Sequence, residues 1–84
     1  MEPINKQRIA WHSRRGMLEL DLLLVPFAAD VFETLDPQDQ LLYSDLLEAE
    51  DQDLFNWLMG RSAPAQTRFE PMIAQILAHS RRAV

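Results

Sequence analysis

The chain has no cysteine. That excludes disulfides and thiolate metal sites, and it fits a reducing compartment. Glycine occurs only twice, at Gly16 and Gly60, so no glycine-rich phosphate loop can be built. No apolar run approaches the ~18–20 residues of a membrane span. The longest, Leu22 to Ala29, is interrupted by Pro26, so direct membrane insertion is not expected. The N-terminus lacks the long apolar stretch of a secretory signal and any Arg/Ser-rich extension. His12 and His79 are the only histidines, too few and too far apart for a zinc site of three or four close ligands. Glu48, Glu50, Asp51 and Asp53 lack the glycine and terminal glutamate of a calcium loop, so no metal site is expected. Lys and Arg are absent between Gly16 and Gly60, while eleven of the thirteen acidic residues fall there. A chain of net charge −5 so arranged is unsuited to nucleic acid, whose phosphates need a basic stripe. It suits a solvated acidic face or a basic patch on a protein partner.

What the chain does contain is helix signal from end to end. Its 84 residues, 48% of them hydrophobic, suffice for one small core, and residues 1–84 are expected to form a single domain. Asn5 can cap a first, polar helix whose less polar positions are Ile9, Trp11 and His12. After Gly16 come two apolar stripes at helical spacing. One is Leu20, Leu24, Phe27, Val31 and Leu35; the other is Leu18, Leu22, Val25, Ala29 and Phe32. A helix apolar on two sides predicts a buried hub, kinked at Pro26. Asp36-Pro37 starts a third helix, with Asp at the N-cap and Pro at the first turn. Its inward face is Leu42, Leu46 and Ala49, with Tyr43 and Leu47 beside it. Asp51 can cap a short fourth helix carrying Leu54, Phe55 and Leu58 and stopping at Gly60. Thr67 and Glu70 have the spacing of a capping box for the last helix, which buries Phe69, Met72, Ile73, Ile76 and Leu77. Pro71 costs that helix a hydrogen bond unless it starts a little later. The fold class is all-α, a small bundle of about five short helices.

The block Arg14-Arg15-Gly16-Met17-Leu18-Glu19-Leu20-Asp21 concentrates charge around one glycine. Gly16 falls where the first helix must end and favours a left-handed conformation. The arginines then occupy the last turn of one helix, and Glu19 and Asp21 the start of the next, each suiting the local dipole. The same block also offers a binding surface. Arg14 and Arg15 present planar donor forks, Arg8 shares their face about two turns earlier, and Gly16 admits a close backbone. Met17 adds an adaptable apolar contact. Glu19 either pairs with an arginine to hold the loop or meets the partner. No catalytic residue is assigned, because no nucleophile–base or paired-carboxylate constellation is evident. His79, in a polar tail, reads as solvated, and Phe55 and Trp57 as either core or hot-spot anchors.

Arg15-Gly16-x-x-Glu19 resembles the RGxxE motif of the bacterial and mitochondrial succinate dehydrogenase assembly factors. The segment from Glu48 to Gly60, containing Asp53-Leu54-Phe55-Asn56-Trp57-Leu58, is similar to the acidic DLFNWL segment of the bacterial members. Spacing and length agree over nearly the whole chain. The resemblance implies a helical chaperone that binds the flavoprotein subunit of succinate dehydrogenase, and in bacteria that of fumarate reductase, and promotes covalent attachment of FAD. It implies a bacterial cytoplasmic protein without catalytic groups, with Arg15, Gly16 and Glu19 at the interface and FAD belonging to the client. An interaction protein of another class, such as an antitoxin, stays open beside it.

Overall fold

The computed structural model describes residues 6–82. Five helices follow one another: α1 Lys6–Ser13, α2 Leu18–Asp30, α3 Pro37–Leu46, α4 Asp51–Leu58 and α5 Glu70–Arg82. Tight 3-10 turns at Phe32–Thr34 and Thr67–Phe69 lead into α3 and α5. No strand occurs among the described residues, so the all-α expectation holds. The Asn5 cap lies outside the described residues.

Local chemistry accounts for most boundaries. Gly60, φ +74°, follows the Met59 C-cap of α4 in the left-handed conformation that ends a helix at little steric cost; Gly16, φ +83°, turns the chain two residues beyond Arg14, after α1 has already ended at Ser13. The α3 N-cap is as expected: Asp36 Oδ1 accepts from the Asp39 N–H at 2.8 Å, with Pro37 behind it. Two capping expectations are corrected. Glu50, not Asp51, is the N-cap of α4, and its side chain makes no capping bond; the Asp51 carboxylate is engaged by Arg15 instead. The last helix opens through the 3-10 turn at Thr67 and becomes α-helical only at Glu70. Pro71 then falls in the first turn, where its missing N–H costs nothing.

α2 is packed by α1, α4 and α5, and it runs unbroken through Pro26 to Asp30. Leu20, Leu24 and Phe27 are fully buried, each contributing about 1.5–3 kcal/mol of apolar burial. The expected second buried stripe is not there. Leu18 and Leu22 are 67% and 64% exposed, Val25 is half-buried and Ala29 exposed. The helix also stops before the stripes do, so Phe32 reaches the core from the 3-10 turn. In α3 the inward face is Tyr43 and Leu46, continued by Leu47 beyond the helix end, while Leu42 and Ala49 are half-buried. The opposite side of the core is closed by Leu54 and Leu58 of α4 and Met72 and Ile76 of α5.

The Ser13 side chain is fully enclosed. The Ser13 hydroxyl donates to the Ile9 carbonyl at 2.8 Å and lies 2.7 Å from the Tyr43 hydroxyl. Tyr43 itself reaches toward the Leu24 carbonyl at 3.4 Å. Its ring packs at 5.3 Å from Phe27 and 5.8 Å from Phe32. Groups from α1, α2 and α3 thus satisfy one another, as burial demands.

Candidate functional site

The four-residue link between α1 and α2 is held by hydrogen bonds at both backbone and side chain. The Arg15 N–H donates to Asp21 Oδ1 at 2.7 Å, tying the loop to the first turn of α2. The Arg15 guanidinium, 12% exposed, turns inward. Its Nε donates to Asp51 Oδ1 at 2.7 Å, its Nη1 to the His12 and Leu47 carbonyls at 3.2 and 2.9 Å, and its Nη2 to the Ala49 carbonyl at 2.8 Å. Leu47 and Ala49 follow α3, and Asp51 opens α4. The cation therefore meets the negative end of one helix, and its acidic partner sits at the positive end of the next. A planar fork with several donors suits this junction, and an ammonium could not replace it.

The other motif residues are placed differently. Arg14 lies just past α1 and is exposed, as are Arg8, Gly16 and Glu19. Both arginines of the motif follow the last helical residue, Ser13, instead of sitting in the final turn. Glu19 makes no ion pair with Arg14 or Arg15 among the described residues. Met17 is half-buried against the core and forms the N-cap of α2 with its backbone. No atom beyond its chain neighbours lies within 4 Å of where a Gly16 Cβ would stand, so that position opens outward.

Beside this loop lies a surface that takes in part of the α2 stripe expected to be buried. Trp11 is 79% exposed. With Gln7 and Ala10 of α1, Arg14 just beyond it and Val25 of α2, it lines a shallow depression of about 370 Å³. Leu18, Leu22 and Val25 recur at helical spacing along α2, so their apolar face continues from the depression. One signal for this was available. Trp11 stands two residues from Ile9, which is on the buried side with Ser13, and two residues on a helix turn through about 200°.

One other expectation changes. His79 is not solvated: its side chain is 18% exposed, Nε2 lies 3.2 Å from Asp30 Oδ2, and the ring meets Phe27 edge-on at 5.9 Å. Phe55 and Trp57 are both half-buried and packed against the core. Trp57 stacks on Phe69 at 6.3 Å, and the Arg61 guanidinium lies 5.3 Å from the Phe55 ring centre. Among the described residues no group of three or more His, Cys, Asp or Glu could hold a metal ion, and no helix is long and apolar enough to cross a membrane.

Fold and site together define a small helical protein that presents a braced charged loop next to an exposed apolar helix face. Over residues 7–80 the chain matches the model of the family described as flavinator of succinate dehydrogenase, and it belongs to that family. It is 52% identical over 71 residues to the FAD assembly factor SdhE of Pseudomonas aeruginosa, covering 84% of each chain. The protein of the same name from Pseudomonas putida is 48% identical over 77 residues, 92% of each chain. That from Vibrio parahaemolyticus is 42% identical over 78 residues, 93% of this chain and 91% of the other. Membership supports the assembly-factor reading over the antitoxin one.

Proposed function

We propose that this chain binds the flavoprotein subunit of succinate dehydrogenase and promotes covalent attachment of FAD to it, with the fumarate reductase flavoprotein as a second client. The bond forms on the client, between FAD and a client side chain, and this chain contributes no reacting group and no cofactor of its own. Its place of action is the bacterial cytoplasm. The docking surface consists of Arg8, Arg14, Gly16, Met17 and Glu19, continued by Trp11, Leu18 and Leu22. Arg15 holds that surface in shape from behind. The observation that carries this reading is the exposed apolar face of α2 beside the braced loop. A small domain leaves large apolar side chains clustered in water where a partner covers them.

A helper of this kind works by geometry. It binds the reaction-competent client conformation better than the others and so raises its population. Holding bound reactants in line can remove up to ~7–11 kcal/mol of barrier in favourable cases. The test is flavin fluorescence of the client flavoprotein on a denaturing gel, which removes FAD that is not covalently held. The expected band fades in cells lacking this gene and returns with the wild-type chain, but not with Arg14→Glu combined with Leu22→Glu. A band of unchanged strength without the gene would overturn the reading.

A further inference from the structure

The chain carries a second surface, distinct from the loop and the α2 face. Where α3 ends, Asp45, Glu48 and Ala49 form one wall of a cleft of about 440 Å³, and Trp57, Arg68 and Phe69 form the other. We propose that this cleft docks an arginine or lysine side chain from a basic segment of a protein partner. The identity of that partner as the flavoprotein rests on the reading above; the chemistry of the cleft does not.

Three features support a basic occupant. The first is the aromatic wall. Trp57 and Phe69 stack with their planes 25° apart, and the wall already holds a guanidinium from the chain itself. Arg68 sits 4.7 Å from the Phe69 ring centre and pairs with Asp45 at 3.1 Å. Cation over aromatic, closed by a carboxylate, is thus a geometry this cleft accepts. The second is the unmatched charge. Glu48 is exposed and has no ion pair among the described residues. It stands just beyond α3, whose last turn holds no basic residue, so Glu48 adds to the negative helix end, while Asp45 is already paired with Arg68. That placement is unfavourable for the helix, and an external cation relieves it. The third is the surroundings. Glu50 and Asp53 are exposed nearby in sequence, and no Lys or Arg occurs from Met17 to Met59, so an extended basic segment gains at several points along its length.

The cleft is also braced from the motif side. Ala49, on its wall, has its carbonyl held by Arg15 Nη2. The loop that shapes the first surface therefore also fixes one wall of the second.

The probe is a short capped peptide alternating glycine and arginine, titrated into the isotopically labelled full chain and followed by amide and indole NMR shifts. Saturable shifts are expected at Glu48, Ala49 and the Trp57 indole N–H, with none from a matched glycine–glutamate peptide. Glu48→Lys, an exposed change, is expected to keep the melting point at or slightly above the wild-type value and weaken peptide binding about tenfold or more. Trp57→Leu should weaken it comparably, with circular dichroism verifying the fold. Shifts spread evenly over all acidic residues, or binding unchanged by Glu48→Lys, would overturn the proposal. Purified flavoprotein is then tested against the same variant. Binding weakened by Glu48→Lys supports the partner assignment, and equal binding to both chains overturns that assignment. Peptide binding with no flavoprotein binding to the wild type sinks the proposed function while the cleft stands.

Discussion

Arg15 ties together segments far apart in sequence: the end of α1, the stretch after α3 and the start of α4 each accept a hydrogen bond from its guanidinium. Because the side chain is mostly enclosed and Asp51 only partly so, removing it leaves carbonyls short of donors more than it strands a charge. Arg15→Ala is expected to cost about 2–3 kcal/mol, lowering the melting temperature by roughly 10–20 °C in a domain this small. Arg15→Lys should recover little of it, since one ammonium cannot reach both the carboxylate and the separated carbonyls. Arg14→Ala, on the exposed neighbour, should stay within about 0.5 kcal/mol of wild type. Equal melting temperatures for the Arg14 and Arg15 variants would contradict this division of roles. Gly16 isolates a second effect. Nothing crowds its missing Cβ, so Gly16→Ala should cost only the left-handed backbone strain, about 1–2 kcal/mol. If client binding drops further than that loss of fold explains, the outward opening at Gly16 is part of the contact.

At the scale of the element, α2 is the decisive case. Its buried side and its exposed side are equally leucine-rich, so the same substitution chemistry separates packing from docking. Leu24→Ala, at a fully buried position, should cost about 2–5 kcal/mol. Leu22→Glu, on the exposed face, should change stability by no more than about 0.5 kcal/mol while abolishing measurable flavoprotein binding. Thermal melts and a binding isotherm on the same preparations check both, and a Leu22→Glu chain that unfolds would place that leucine in the core. The element order, the Asp36 cap, the Gly60 stop and the stripe Leu20–Leu24–Phe27 were legible in the sequence because each rests on local chemistry or helical period. Which apolar stripe of α2 faces inward was not. Both have the right spacing, and the choice depends on how α1, α4 and α5 share the available surface. The inward turn of Arg15 was hidden for the same reason, since Asp51, Leu47 and Ala49, all but one of its acceptors, lie more than thirty positions away. Nothing in the local pattern separates it from Arg14.

The whole molecule closes around Tyr43, the point where α1, α2 and α3 meet through Ser13, the Leu24 carbonyl and the phenol. Burial pushes its hydroxyl up from the ordinary 10.0 to about 12, against the opposing pull of the Ser13 hydrogen bond and the Arg15 charge. An unfolded chain loses this proton near pH 10, and the folded chain only near pH 12. Between those values the unfolded state binds fewer protons, so the stability present below pH 10 is lost as pH rises. The slope from this one group is about 1.4 kcal/mol per pH unit. Other groups titrate in the same range, and Tyr43→Phe separates them, because it keeps the ring and removes the proton. At neutral pH the variant should be less stable by about 1 kcal/mol, the worth of a buried hydrogen bond. Between pH 10 and 12 it should lose less stability than the wild type, so urea unfolding curves taken across that range should converge and then cross. A gap that stays constant to pH 12 would mean that water reaches the phenol in the folded chain, and that the junction of the three helices is looser than its packing indicates.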